Sequence, residues 1–218
     1  MRWGGGGRAM RDLIEEVFTA VFKPDSGEDQ ARLMTSALQV PGARLAFTTD
    51  SYVVTPVEFP GGDIGKIAVC GTVNDLAVGG AVPLWLSASF IIEEGCEIAL
   101  LRRLVASMAR EAEAAGVRIV TGDTKVVEKG SCDTVFITTS GVGVIPPGCD
   151  LHAENIRPGD VAIVNGVLGD HGLHLVLQQH SEMRLQLTGV HHVLLVVVQV
   201  HHLEAQRRQV HRQLRFAP

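Results

Sequence analysis

Residues 97–127 read EIALLRRLVASMAREAEAAGVRIVTGDTKVV, and their pattern decides the fold class. Ile98, Leu101, Val105, Met108, Ala112 and Ala115 recur every three or four residues, while Arg102, Arg103, Arg110 and Glu111 fall elsewhere. That period predicts an amphipathic helix over 97–115, with Gly116 placed to end it. The apolar runs 117–120 and 125–127 then predict strands, and 83–92 predicts another strand before the helix. Working outward, 134–145 and 161–165 read as further strands. Residues 64–78 read as a helix that follows the turn Pro60-Gly61-Gly62-Asp63. The stretch 45–49 reads as a strand ending at Asp50, and 51–57 as a second extended piece. Met10, Leu13, Ile14, Val17, Phe18 and Val21 give 9–22 a helical stripe. The order predicts an α+β domain, a mixed sheet packed with helices, and not an alternating dinucleotide-binding repeat.

The chain has 218 residues, 46% of them hydrophobic, enough for one large domain or two small ones. With 20% charged residues and a net charge of −5, it carries neither a disordered composition nor the basic excess of a nucleic-acid binder. Its longest aliphatic run, 193–198, is far below the ~20 residues that span a bilayer. Residues 1–8 hold no apolar secretory core, and Cys70, Cys96, Cys132 and Cys149 form no CxxC pair. A reduced, cytoplasmic protein is expected.

The composition changes near residue 172. Seven of the nine histidines lie beyond it, in a stretch with no Lys or Asp and a formal charge of +3 from five Arg and two Glu. The pairs His191-His192 and His201-His202 offer imidazole ligands. With one glycine, Gly189, and no capping box or acidic partner beside these pairs, however, 173–218 reads as a divergent tail, the product of a shifted reading frame or, less favoured, a merely tolerated extension.

Gly4, Gly5, Gly6 and Gly7 precede a helix, where backbone amides can approach a phosphate. Glycine runs are also common as plain flexible segments. No P-loop is present, since Gly61 to Lys66 has the wrong spacing. Asp50, Asp75 and Asp123 each follow an apolar element among small residues, a placement suited to Mg²⁺, which takes carboxylate, phosphate and water oxygens. Singly, each is read more readily as a helix cap or turn residue. Taken with Lys66 and Lys125, both near glycines, the three make nucleotide binding competitive with that reading. His171 is a weaker general-base candidate. The cysteine spacings match no zinc pattern, and Trp3 and Trp85 read as packing residues.

Several segments in order resemble the HypE family of hydrogenase maturation factors over about residues 3–172: FTTDSYVV (47–54), FPGGDIGK (59–66), CGTVNDLAV (70–78), VTGDTKVV (120–127) and GVLGDHG (166–172). That family belongs to a superfamily with aminoimidazole ribonucleotide synthetase, selenophosphate synthetase and thiamine-monophosphate kinase. The resemblance implies an aminoimidazole ribonucleotide synthetase-like N-terminal domain that pairs through a dimer barrel. It implies ATP and Mg²⁺, with dehydration of a protein-bound carbamoyl group to a thiocyanate that supplies cyanide to iron. By position, Asp50, Asp75 and Asp123 would bind the metal. Lys66, Asn74, Thr124, Lys125 and Gly4 to Gly7 would meet ATP and its phosphates. Implied partners are a second copy, the carbamoyltransferase HypF and the HypC–HypD complex, with no nucleic acid or membrane.

Two departures stand out. Trp3 and Gly5 occupy positions where the family carries His and Ser, and the last cysteine is Cys149, whereas the family ends in an acceptor cysteine. The expected organisation is a glycine loop and helix (1–40), an ATP/Mg-binding domain (41–150), the start of a truncated second domain (151–172) and the divergent tail (173–218). Cyanide-ligand synthesis is expected to be impaired. The rival expectations are an ATP-dependent small-molecule kinase or synthetase, and a non-catalytic dimerisation module.

Overall fold

The computed structural model describes residues 7–25, 30–34, 36, 39–155 and 157–158. Helix α1 starts over Arg8–Leu13, widens to π-type hydrogen bonding over Ile14–Thr19 and closes over Ala20–Phe22. Strand β1 (Arg44–Tyr52) leads to a short hairpin, β2 (Glu58–Phe59) and β3 (Gly62–Asp63). Helix α2 (Ile64–Val78), strand β4 (Val82–Glu93), helix α3 (Ile98–Ala115), β5 (Arg118–Val127) and β6 (Val135–Ile145) follow. The last element among the described residues is a 3₁₀ turn, Ala153–Asn155.

Local chemistry sets the helix ends. Asp63 caps α2, its Oδ1 accepting the Lys66 amide at 2.8 Å. Gly116, at φ 65°, closes α3 in the left-handed conformation expected of it. The predicted spans 64–78 and 97–115 match these helices closely.

The four long strands form one sheet in the order β1-β6-β4-β5. β4 and β5 run parallel, joined by the α3 crossover, and the other neighbours are antiparallel. The three helices of the described residues cover one face. Leu86, Phe90 and Ile92 of β4 and Val135 and Ile137 of β6 pack there against Leu101, Leu104, Val105 and Met108 of α3. From α1, Phe18 joins them with its ring centroid 4.6 Å from that of Phe90. Helix α2 packs on β1 and β6 and, along its flank, on α3, so Ile64, Ala68, Val69, Thr72, Val73 and Leu76 are buried around most of its circumference.

The opposite face is uncovered among the described residues. Alternation and register place Leu45, Phe47, Trp85, Val142 and Val144 at one end of it. A band of hydroxyls follows, from Thr49, Ser51, Ser87, Ser89, Thr138 and Ser140. Leu45 and Phe47 are 59% and 69% exposed.

Three sequence expectations change. Asp50 sits inside β1 and does not end it, because the polar Thr49-Asp50-Ser51 stretch still pairs with β6 through Thr138 to Ser140. Ser51 and Tyr52 therefore belong to β1, and the rest of 51–57 is not strand. The runs 117–120 and 125–127 are one strand. Thr121-Gly122-Asp123-Thr124 keeps its register with β4 beyond a bulge, and the sheet edge tolerates its polarity. The predicted strand 161–165 and the tail lie outside the described residues. No helix among the described residues is long and apolar enough to cross a membrane.

Candidate functional site

Strand alternation aims Thr48, Asp50 and Tyr52 of β1 at the flank of α2, and the helical period puts Gly71, Thr72 and Asp75 on the flank that meets them. Thr48 Oγ1 donates to Asp75 Oδ2 at 3.1 Å, and Asp50 Oδ1 accepts the Ser51 amide at 2.8 Å. The Tyr52 oxygen lies over Gly71, where any Cβ would collide with it. It stands 3.3 Å from Thr72 Oγ1, which is 2.5 Å from Thr139 Oγ1. Thr139 Oγ1 in turn donates to the Ala68 carbonyl at 3.0 Å. Burial pushes the Tyr52 phenol up to about 12; the Thr72 bond pulls it back, and the nearby Asp50 and Asp75 carboxylates raise it further. The site is thus two carboxylates flanking a neutral, half-buried phenol. These are hard oxygen donors, and the set fits Mg²⁺.

The other candidates are dispersed. Asp123 is registered with Ser89, and Ser89 with Thr138, which lies opposite Ser51. It therefore stands level with Asp50 but on the far edge strand, three strand spacings or about 14 Å across, and on the other face. The expectation that Asp50, Asp75 and Asp123 converge within one chain is corrected by this strand order. Among the described residues no three His, Cys, Asp or Glu side chains are grouped to hold a metal. None of the three aspartates is a helix cap either, since two lie in strands and one within α2.

Lys66 sits in the first turn of α2, with Nζ 3.4 Å from the Gly61 carbonyl. Asp75 is nine residues farther, about 13 Å along the axis and half a turn around. Asn74 is half-buried beside Asp75, and Lys125 shares the face of Asp123. Thr124 lines a cavity of about 790 Å³ under α1, with Phe18, Phe22, Asp25, Phe90 and Ile119. Gly7 is the residue before α1, at φ 85°. Gly4 to Gly6, Trp3 and His171 lie outside the described residues.

The sequence reading missed Thr48, Tyr52, Thr72 and Thr139. Counting by two from Asp50 and back by three from Asp75 would have found the first three. Thr139 is visible only through pairing.

Cys70 and Cys96 are not poised as nucleophiles. Burial, then the neighbouring Glu111 carboxylate, pushes Cys70 up to about 11. Burial, Cys132 and nearby glutamates do the same to Cys96, also to about 11. Since the thiolate is the reactive form, Cys70 and Cys96 are expected to stay unlabelled by iodoacetamide at pH 8 and to react fully in urea, read by peptide mass spectrometry.

A family model described as AIR synthase related protein, N-terminal domain, matches residues 27–145, which include β1 to β6 with Asp50, Asp75 and Asp123. The chain belongs to this family. Among relatives it is 82% identical over 169 residues to the carbamoyl dehydratase HypE of Rhodobacter capsulatus, covering 78% of this chain and 50% of that one. The crystal structure of E. coli HypE, a hydrogenase maturation protein, superimposes with a TM-score of 0.76 at 48% identity, over 82% of this chain and 56% of that one. A HypE structure in complex with ATP gives 0.74 at 45% identity, over 88% and 55%. A HypE–HypF complex gives 0.62 at 48%, over 79% and 55%. The chain spans about half the length of the curated relatives it matches. The AIR synthase related fold expected from sequence is therefore the one observed.

Proposed function

We propose that this chain carries the nucleotide-handling domain of a HypE-type carbamoyl dehydratase that acts in [NiFe] hydrogenase maturation in the cytoplasm. The observation carrying this reading is the approach of Asp50 and Asp75 to the same phenol across β1 and α2, in a chain 82% identical over 169 residues to a HypE protein. The carbamoyl oxygen is a poor leaving group, and phosphoryl transfer from ATP to it makes loss of the oxygen possible. Asp50 and Asp75 would hold Mg²⁺, which supplies positive charge to the phosphates when bound. Lys66, Lys125, Asn74, Thr124 and the Gly4 to Gly7 loop are proposed to meet ATP. HypF as carbamoyl donor, and HypC–HypD as acceptor of the product, complete the proposed partners.

The split of the candidates over both sheet edges supports a homodimer. Closing two four-stranded sheets into a barrel about a two-fold along its axis sets β1 of one copy beside β5 of the other, and covers Leu45 and Phe47. The partner's Asp123 and the partner's Lys125 then stand on the strand beside β1, on the barrel-lining face that carries Ser51, the residue after Asp50. The test is calorimetric titration of the 218-residue chain with ATP, with and without Mg²⁺, beside co-purification with HypF. Mg²⁺-dependent ATP binding is expected. ATP binding that ignores Mg²⁺, or its absence, overturns the assignment.

A further inference from the structure

Gly141 of β6 lies opposite Thr48 of β1 and faces α2. A Cβ at Gly141 would stand 2.9 Å from Thr72 Cγ2 and 3.0 Å from Leu76 Cδ1, so its missing side chain is what lets α2 settle close to the sheet at this level. Half-buried Thr48 therefore reaches the exposed Asp75 carboxylate at the outer edge of the helix. The direction of that 3.1 Å contact is fixed by chemistry, since an ionised carboxylate only accepts. Among the described residues this hydroxyl is the one hydrogen-bond donor on Asp75, and it engages Oδ2 alone. Asp50 is held differently, by the Ser51 amide on Oδ1 and by the Tyr52 phenol.

Resting on the reading that Asp50 and Asp75 hold the metal of a metal–ATP complex, we propose that Thr48 is a specificity-determining residue, which leaves Asp75 one oxygen for the metal and so favours Mg²⁺ over Ca²⁺. Magnesium is small, demands a nearly ideal octahedral shell and keeps several waters, so single oxygens from carboxylates beside phosphate oxygens suit it. Calcium is larger, takes roughly six to eight oxygens and often draws two of them from one carboxylate. A proton held on Oδ2 competes with a cation for that oxygen and fixes the plane of the carboxylate. The second oxygen is thus withheld from calcium at little cost to magnesium. Because the hydroxyl leaves the charge of Asp75 in place, it sets the number of oxygens offered and not the overall attraction for cations.

The experiment is calorimetric titration of the 218-residue chain with ATP, once in excess MgCl₂ and once in excess CaCl₂. The parent is expected to bind ATP more tightly with Mg²⁺. Valine keeps the branched shape of threonine and suits a strand, so Thr48→Val removes the donor with little change in packing. In that variant the Mg²⁺ preference, the ratio of the two dissociation constants, should fall by about 10-fold, the lower end of what removing an outer-shell partner does to metal affinity. Thr48→Ala, a second variant without the hydroxyl, should match it, and Thr48→Ser should hold the parent's ratio. A purely structural role for Thr48 would weaken ATP alike with both cations and leave the ratio unmoved, which overturns the proposal. A parent that binds ATP equally well with either cation overturns it too. If the parent binds ATP with neither cation, or if Asp75→Asn binds as the parent does, the metal-site reading itself fails. Thermal melts of each variant separate loss of fold from loss of binding.

Discussion

Replacing Gly65 by alanine is expected to lower the unfolding free energy by about 2 kcal/mol, within the range for forcing an extra methyl into a packed core. An added Cβ there would stand 2.5 Å from the Leu104 carbonyl and 2.9 Å from Met108 Cγ. The first neighbour is α3 backbone in the middle of a helix and cannot swing aside, so α2 and α3 must separate along their whole contact. Alanine's better helix propensity offsets about 1 kcal/mol of this, which makes the net loss smaller than the steric term. Gly71→Ala is the useful contrast. It also sits in α2, but its Cβ meets the tip of the Tyr52 side chain and no backbone, so stability should change less while the site is disturbed more. Urea unfolding followed by circular dichroism measures both.

The second large effect concerns the carboxylates. Asp75→Asn keeps the acceptor for Thr48 Oγ1 but removes the charge. Loss of one of two protein carboxylates from a Mg²⁺ site should weaken Mg²⁺-dependent ATP binding by about 100-fold or more, by analogy with loss of an outer-shell partner at 10–100-fold. Asp123→Asn should weaken binding similarly if β5 of one copy lies beside β1 of the other. The two variants are then expected to complement each other. In a hybrid dimer one seam holds both substitutions and the other holds none, so an equal mixture should recover about a quarter of the parent's sites if the chains pair at random. Calorimetry on mixed and unmixed variants reads this directly. No recovery on mixing, with exchange of chains verified, would place Asp123 outside the proposed seam.

The sequence revealed the helices better than the site. In α3 every third or fourth residue is apolar, and Gly116 stands where the chain must turn, so period and stop agree. β4 and β6 were legible as apolar runs for the same reason: their helix-facing residues lie in the core. The strand around Asp123 was broken in two on paper because polarity was taken for a loop, whereas β5 is an edge strand whose paired register does not depend on apolar side chains. The site was half legible. TTDS and VNDL could be singled out as carboxylates among small residues, but their meeting, and the distance of Asp123 from them, follow from the order β1-β6-β4-β5. That order is set by long-range pairing, which no local pattern encodes. Tyr52 escaped notice because a lone aromatic in a β-favouring stretch looks like core, and its hydroxyl contacts run through Thr72 to Thr139, far along the chain.

The antiparallel pairing of β1 with β6 has a consequence for when the site comes into being. Thr49 Oγ1 donates to the carbonyl of Thr139, 90 positions later, and every partner of β1 in the sheet is comparably remote. The β4–α3–β5 unit, by contrast, closes within residues 82–127. Contacts across such long loops form slowly, and a chain emerging from the ribosome acquires its local units first. Residues 44–52 must therefore wait, translated but without their neighbour in the sheet, until residue 145 has been made. Only then is Asp50 held beside Asp75. The carboxylate pair is a late product of folding, and a nascent chain lacks the proposed metal site until β6 has docked.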